Sequence, residues 1–400
     1  MSDKYRRIRV LYSFPHKIGA DQICSTAWHQ VNGLANAGVD LQVYPGVLYK
    51  PLPPGVKIHP TLACGKLRIP YRFLGRIGAC RLHDYIVSRS VAKYANQIDL
   101  IHTWPVGALK TLKVAAKYGI PTVLERPNAH TRFAYEVVQK ECERLGVPLP
   151  AHHEHSYNET ILQREEMEYR LADKLLCPSD FVARTFIEHG FPPNKLARHQ
   201  YGFDPDIFFP GRQNATHSQG LTMMFAGGCA PRKGLHYALE AWLQSKAHKN
   251  GSFLIAGEFI PGYANKLSAM LSHPSVKVLG HCNNVADLMR QSDVFILSSI
   301  EEGSALVTSE ARGCGCVLLV SQATGAVCEH LNNALIHQAG DIMTLTQHIS
   351  LLEENRELLG RLRASSLSTI HEITWQAAGA KLLSVYREVL AEKDISDMPH

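Results

Sequence analysis

The feature that most constrains this fold is an alternation, repeated twice, of short apolar runs with segments of helical period. In the first half, apolar runs at 8–12, 41–44, 100–102, 122–125 and 174–177 are separated by segments at 25–37, 109–118, 132–145 and 158–172 that have helical spacing. Runs too short for helices, interleaved with helices, are what a parallel sheet covered on both faces requires. A second series follows, with strands predicted at 221–226, 253–256, 276–279, 294–297 and 317–320. Between the two series, Gly211 to Gly220 offers nothing a core could use, which is the composition of a linker. The fold class is therefore α/β, with two doubly wound domains at 1–210 and 211–374 and a cleft between them. Four hundred residues suit two cores better than one. The closing segment, 375–400, carries Leu382, Leu383, Tyr386 and Leu390 at helical spacing, so one face of that helix must be buried.

Hydrophobic residues at 45% and charged residues at 20% exclude a disordered scaffold. The first residues lead straight into strand 8–12 without the apolar stretch and small-residue site of a signal peptide, so a cytoplasmic location is expected. No apolar run reaches the length of a membrane span. Ten scattered cysteines without a repeated CxxC pair read as reduced packing residues, not as disulfides or structural zinc. The Asn214 sequon matters only on a secretory route, and none is signalled. Net charge is +6, and the segment from Lys66 to Lys93 accounts for all of it: Lys66, Arg68, Arg72, Arg76, Arg81, Arg89 and Lys93 against Asp84. Two readings stand for that segment, a solvated helix face plus loop or a surface docking on an anionic membrane or acceptor. Nucleic acid is not expected, because interleaved aromatics are few and no binding motif occurs.

In open α/β sheets, ligands sit beyond the carboxyl ends of the strands, where helix N-termini offer N–H groups to anions. The turn from Phe225 to Gly234 contains Gly227, Gly228, Arg232 and Lys233, with glycines that admit a ligand and cations suited to a diphosphate. After strand 294–297, Glu302 falls in the turn, followed by Gly303, Ser304 and Ala305, and Glu310 lies about two helical turns on. That spacing does not suit two carboxylates acting on one water. It suits two carboxylates accepting hydrogen bonds from hydroxyls at opposite ends of one ligand, with a phosphate held by the N–H groups of 303–305. Hydroxyls at both ends and a diphosphate between describe a nucleotide sugar.

The segment Glu302 to Glu310 resembles the Glu-x7-Glu signature of retaining GT-B glycosyltransferases in the large family four, which contains many lipopolysaccharide, capsule and glycolipid transferases. The likeness extends along nearly the whole chain, through Glu168-Tyr169, Pro178-Ser179, Tyr201 to Pro210, Lys233-Gly234, Thr324-Gly325 with Glu329, and Trp375 with Tyr386. It implies a GT-B fold of two Rossmann-like domains whose C-terminal helix crosses back to the N-terminal domain. It also implies that Glu302 contacts the donor sugar, Glu310 the ribose, and Lys233 the diphosphate, with Arg232 standing in for a family arginine at the position held by Gly228. His130 resembles the family's strand-end histidine facing donor and acceptor, with Arg126 and Asn128 beside it. The Gly19-Ala20 turn, where the family carries two glycines, would close over the cleft.

Two metal-like patterns are discounted. Asp204-Pro-Asp206 lies in the family's Gly-x-Asp turn beside the linker, and His152 to His155 is read as a solvated loop. The resulting expectation is a hexosyl transferase that uses a nucleoside diphosphate sugar as substrate, needs no cofactor and no metal, and acts on a glycan or glycolipid precursor. The alternatives are a GT-B sugar-nucleotide epimerase and a catalytically silent subunit. A dinucleotide dehydrogenase is disfavoured, because no strand-linked GxGxxG with a downstream acid appears.

Overall fold

The computed structural model describes residues 7–64, 67–68, 71–151, 153–211 and 220–396. The expected linker with its Asn214 sequon, together with Lys66 and His152, lies outside the described residues, apart from Gly211 and Gly220. Two wholly parallel sheets organise the chain. The N-terminal sheet contains β1 (Arg9–Ile18), β2 (Asp40–Leu48), β3 (Lys57–Ile58), β4 (Leu100–Thr103), β5 (Thr122–Glu125), β6 (Lys174–Cys177) and β7 (Leu196–Arg198) in the order β3-β2-β1-β4-β5-β6-β7. The second contains β8 (Thr222–Ala226), β9 (Ser252–Ala256), β10 (Val276–Gly280), β11 (Val294–Leu297), β12 (Val317–Ser321) and β13 (Ala334–His337) in the order β10-β9-β8-β11-β12-β13. Each sheet reverses direction next to its first strand, opening a crevice between β1 and β4 and between β8 and β11.

The central strands β4, β5 and β11 are buried along their whole length, which is why they read as continuous apolar runs. Nine-tenths or more of every side chain in the second core is buried, from Met223 and Phe225 on β8 to Trp242 and Leu319. Helices α1 (Ile23–Asn36), α3 (Leu109–Lys117), α4 (Thr131–Leu145), α5 (Glu159–Leu171) and α6 (Asp180–Glu188) flank the N-terminal sheet together with α2 (Tyr71–Tyr94). Where the sequence suggests a helix face plus loop, α2 is one long element that kinks at Gly75, whose φ of 63° interrupts the helical run. In the second half, α7 (Leu235–Gln244) and α8 (Leu306–Gly313) follow the two turns carrying the predicted site.

The closing helix, α9 (Trp375–Ser396), returns to the N-terminal domain. Its Leu382, Val385, Tyr386 and Val389 join the core formed by Val10, Tyr12 and Val31. The backbones cross closely where Gly33 faces Gly379, and a Cβ at Gly33 would stand 3.0 Å from the Gly379 Cα. A buried polar network completes the anchorage. The Tyr386 hydroxyl lies 2.6 Å from His102 Nδ1, and Glu125 accepts hydrogen bonds from Gln30 at 2.9 Å and Tyr201 at 2.8 Å.

Candidate active site

The β8–α7 and β11–α8 turns meet because Gly234 has room for no side chain. Its φ is 64°, and a Cβ there would fall 1.9 Å from the Ser298 carbonyl oxygen. That approach places Arg232 and Lys233 against Glu302. Arg232 Nη1 lies 3.0 Å from a Glu302 oxygen, Lys233 Nζ pairs with the other, and the Ser299 hydroxyl donates to the carboxylate at 3.3 Å. Burial alone would raise the Glu302 pKa, but Arg232 and Lys233 hold it below the usual carboxylate range. Burial lowers that of Lys233, and Glu302 opposes the shift. With Glu301 3.2 Å from Arg232 Nη1, the result is a compact, water-poor cluster of two cations and two carboxylates beside the N-terminus of α8.

The phosphate cradle expected at 303–305 is narrower than anticipated. Ala305 N–H already donates to the Thr324 carbonyl at 3.0 Å, so it is not free for a ligand. Gly303 and Ser304 N–H make no hydrogen bond among the described residues. Gly227 and Gly228 border open space, where an added Cβ would meet nothing within 4 Å. Glu310 is partly buried on α8, four residues after Leu306, so the two share a helix face with Glu310 ~6 Å further along. Its carboxylate has no hydrogen bond or ion pair among the described residues, and burial pushes its pKa up to about 7.

A cavity of about 380 Å³ lies between the domains, where Lys233, Glu302, Gly303 and Ser304 face Arg126, Asn128, Thr131 and Tyr135; Gly227, Gly228, Arg232 and Glu310 are not part of its lining. Arg126 is 2% exposed, its guanidinium lies over the Tyr169 ring at 4.4 Å, and its Nε and Nη1 atoms have no hydrogen-bond partner. A separate cavity of about 510 Å³, lined by Arg198, Thr324 and Glu329 among others, contains none of Arg126, Lys233 or Glu302.

Three expectations are corrected by the geometry. His130 does not line the cavity: it caps α4 with its ring stacked on His189 at 4.1 Å and packed against Tyr169 and Phe186, and burial lowers its pKa to about 3. The β1–α1 wall of the cavity is formed by His16, Gln22, Ile23 and Thr26, while Gly19 and Ala20 lie outside it. Gly19 is needed there for another reason, since its φ is 86° and a Cβ would sit 2.7 Å from Lys50 Cβ. Finally, His155 is not solvated. It is 5% exposed, lines the cavity and reaches Glu301 at 3.2 Å. Neither Glu301 nor His155 was singled out from the sequence as a site residue, and their partnership spans two domains. Asp204 and Asp206 form a local turn, in which Asp206 N–H donates to Asp204 at 3.0 Å.

With this geometry in hand, the chain matches the domain described as "Glycosyl transferases group 1" over residues 220–355 and "Glycosyltransferase Family 4" over residues 25–207. It is 23% identical over 388 residues to the D-inositol 3-phosphate glycosyltransferase of Thermobispora bispora, covering 89% of this chain and 87% of that relative. Among solved structures it is similar to Anabaena HepE in complex with UDP, with a TM-score of 0.64, 16% identity, and coverage of 96% of this chain and 100% of that one. Sucrose-phosphate synthase from Thermosynechococcus elongatus gives a TM-score of 0.66 at 16% identity, covering 97% and 100%. At such identities the structural likeness speaks for the fold. Fold and matched domains together define a glycosyltransferase of the GT-B type. Within that class, the chain belongs to glycosyltransferase family four.

Proposed function

We propose that this enzyme transfers a hexose-like sugar from a nucleoside diphosphate sugar, with retention and without a metal ion, to a cell-surface polysaccharide, lipopolysaccharide or glycolipid precursor. The observation that carries the donor reading is the Glu302–Arg232–Lys233 cluster beside the unpartnered Gly303 and Ser304 N–H groups. Two cations and two N–H groups take the place a divalent ion would have at a diphosphate, and they stabilise the charge that builds as the leaving group departs. Glu302 exchanges Lys233 for sugar hydroxyls when the donor arrives, and Glu310 receives the ribose. The solved relative HepE has UDP bound, and the Thermobispora relative is named for a phosphorylated acceptor. Arg76 on the opposite wall suits an acceptor that carries negative charge.

The test is a melting screen against UDP, GDP and ADP sugars, followed by nuclear magnetic resonance of the product's anomeric centre. A matched donor at a hundred times its Kd adds about 2.7 kcal/mol of stability. Indifference to every nucleoside diphosphate sugar would refute the donor reading, and an inverted product would refute retention.

Membrane contact belongs to the same proposal. Arg81, Arg89 and Lys93 on α2 and Lys110, Lys113 and Lys117 on the adjoining α3 are exposed, while Asp84 is buried against Arg164 at 2.5 Å. The side chains of Lys66, Arg68 and Arg72 lie outside the described residues. Among described residues no helix is long and apolar enough to cross a membrane, and the kink at Gly75 favours surface contact over insertion.

A further inference from the structure

Glu301 has no part in the donor reading, yet it is held from both sides of the cleft. It is fully buried just beyond β11, accepts the Ala129 N–H at 3.1 Å, faces His155 Nε2 at 3.2 Å and faces Arg232 Nη1 at 3.2 Å. Ala129 and His155 belong to the N-terminal half, and Arg232 belongs to the C-terminal half. Its neighbour Glu302 is held by Arg232 and Lys233, which both belong to its own domain. Arg232 is thus shared by two carboxylates, and its Nη1 also donates to the Glu301 carbonyl at 2.9 Å. When Glu302 turns to a sugar hydroxyl, Glu301 remains as the carboxylate that holds a guanidinium only 9% exposed. Parting of the two halves would strip Glu301 of Ala129 and His155 and leave its charge to Arg232 alone.

We propose that Glu301 and His155 are positioning residues of the transfer reaction, joining the two halves across the cleft and holding the Arg232 guanidinium in place for the donor diphosphate. The hold on the guanidinium rests on the donor reading of Arg232; the joining of the two halves does not.

The experiment uses the full chain as His155→Ala, His155→Gln and Glu301→Gln, each checked for a native melting curve. Small-angle scattering with and without UDP reads closure, and calorimetry reads UDP affinity. His155→Ala should have a larger radius of gyration than wild type in both conditions and keep its UDP affinity within about threefold, since its contact lies on the acceptor side. His155→Gln retains an N–H donor of similar reach and should return toward wild type, which a purely steric role for the ring would not predict. Glu301→Gln should open the cleft as well and weaken UDP by about tenfold, the worth of one charge-assisted contact. Turnover should fall in His155→Ala at unchanged donor KM. Scattering from His155→Ala and Glu301→Gln that superimposes on wild type would overturn the cross-cleft role. An open Glu301→Gln with unchanged UDP affinity would overturn the Arg232 role. Variants that open in a protein whose wild type ignores UDP would uphold the cross-cleft role and count against a uridine donor only.

Discussion

Replacing Gly303 with alanine should separate closure from donor binding. Gly303 is not among the glycines with positive φ, so alanine is compatible with its backbone conformation. The obstacle lies across the cleft, where a Cβ would stand 1.5 Å from the Pro127 carbonyl oxygen, against the 3.0 Å below which such contacts essentially never occur. Both partners are backbone on well-packed turns, so the two halves must part by roughly 1.5 Å, since packed interiors do not deform continuously. That displacement takes the Ala129–Glu301 hydrogen bond, now 3.1 Å, and the Ser179–Gly303 bond, now 2.5 Å, out of range. One bond to a charged group and one neutral bond are together worth about 3 kcal/mol, or about a hundredfold in the closed population. Gly303→Ala should therefore lose about two orders of magnitude in kcat, while UDP affinity changes by less than about threefold because the donor groups all lie in the C-terminal domain. Each domain keeps its own core, so the melting temperature should move by only a few degrees. Steady-state transfer, or donor hydrolysis without acceptor, measured beside calorimetry gives both readouts. A variant with near-wild-type kcat, or one whose loss falls on UDP affinity with kcat intact, would refute this reasoning.

Other expectations follow from single residues. The Glu310 pKa is raised to about 7 by burial, against about 4.5 unfolded, so its ionisation should cost folding stability progressively as pH rises through that window, with no penalty below it. Ribose hydroxyls favour the ionised form, so UDP affinity should climb up to about tenfold per pH unit toward pH 7 and then level off. A flat profile in wild type, or the same slope in Glu310→Gln, would exclude Glu310 from the ribose site. Excess EDTA should leave transfer undiminished; loss of activity that Mn²⁺ or Mg²⁺ restores would show that Arg232 and Lys233 do not replace a metal. His130→Ala should cost about 2–3 kcal/mol of stability by emptying the space between His189, Tyr169 and Phe186, with kcat per folded molecule preserved, and a selective kcat loss in a fully folded variant would return His130 to catalysis. Binding to anionic vesicles should weaken as salt shortens the Debye length and when Arg81, Arg89, Lys110 and Lys113 become Ser, whereas salt-independent binding would place the contact elsewhere.

The strand pattern was legible because central parallel strands are buried on both faces. The predicted runs 122–125, 174–177 and 294–297 coincide with β5, β6 and β11. Strand β1 runs on to Ile18, beyond the apolar run that announced it, because its pairing with β2 shifts register between Phe14 and Lys17 and carries Pro15 and His16 through an irregular edge. The full extent of the helix at Tyr71–Tyr94 was hidden for the opposite reason. Gly75, Gly78 and a dense row of cations mask its period, and its burial is supplied by α3 and β1, which lie outside any local window. In the site, Arg232, Lys233, Glu302 and Gly303 stood out because strand-to-helix turns carry them, and the same turns bring them together.

Loops defeat sequence reading at the scale of one residue. Between β5 and α4, Asn128, Ala129 and Thr131 line the cavity, but His130 among them turns to the opposite side, where Thr185 accepts its N–H at 3.0 Å. No periodicity governs a turn, so the residue with the most suggestive chemistry was assigned the cleft that its neighbours occupy. The adjacent carboxylates Glu301 and Glu302 pose the same problem more sharply: both are buried, both touch Arg232, and the sequence offers no reason to treat them differently. What separates them is the partner on the far side. Lys233 lies 69 residues from Glu302 in the same domain, and Ala129 lies 172 residues from Glu301 in the other. Only the second pairing depends on how two domains meet, so a motif can mark Glu302 as a ligand group, but the function of Glu301 exists only when the cleft is closed.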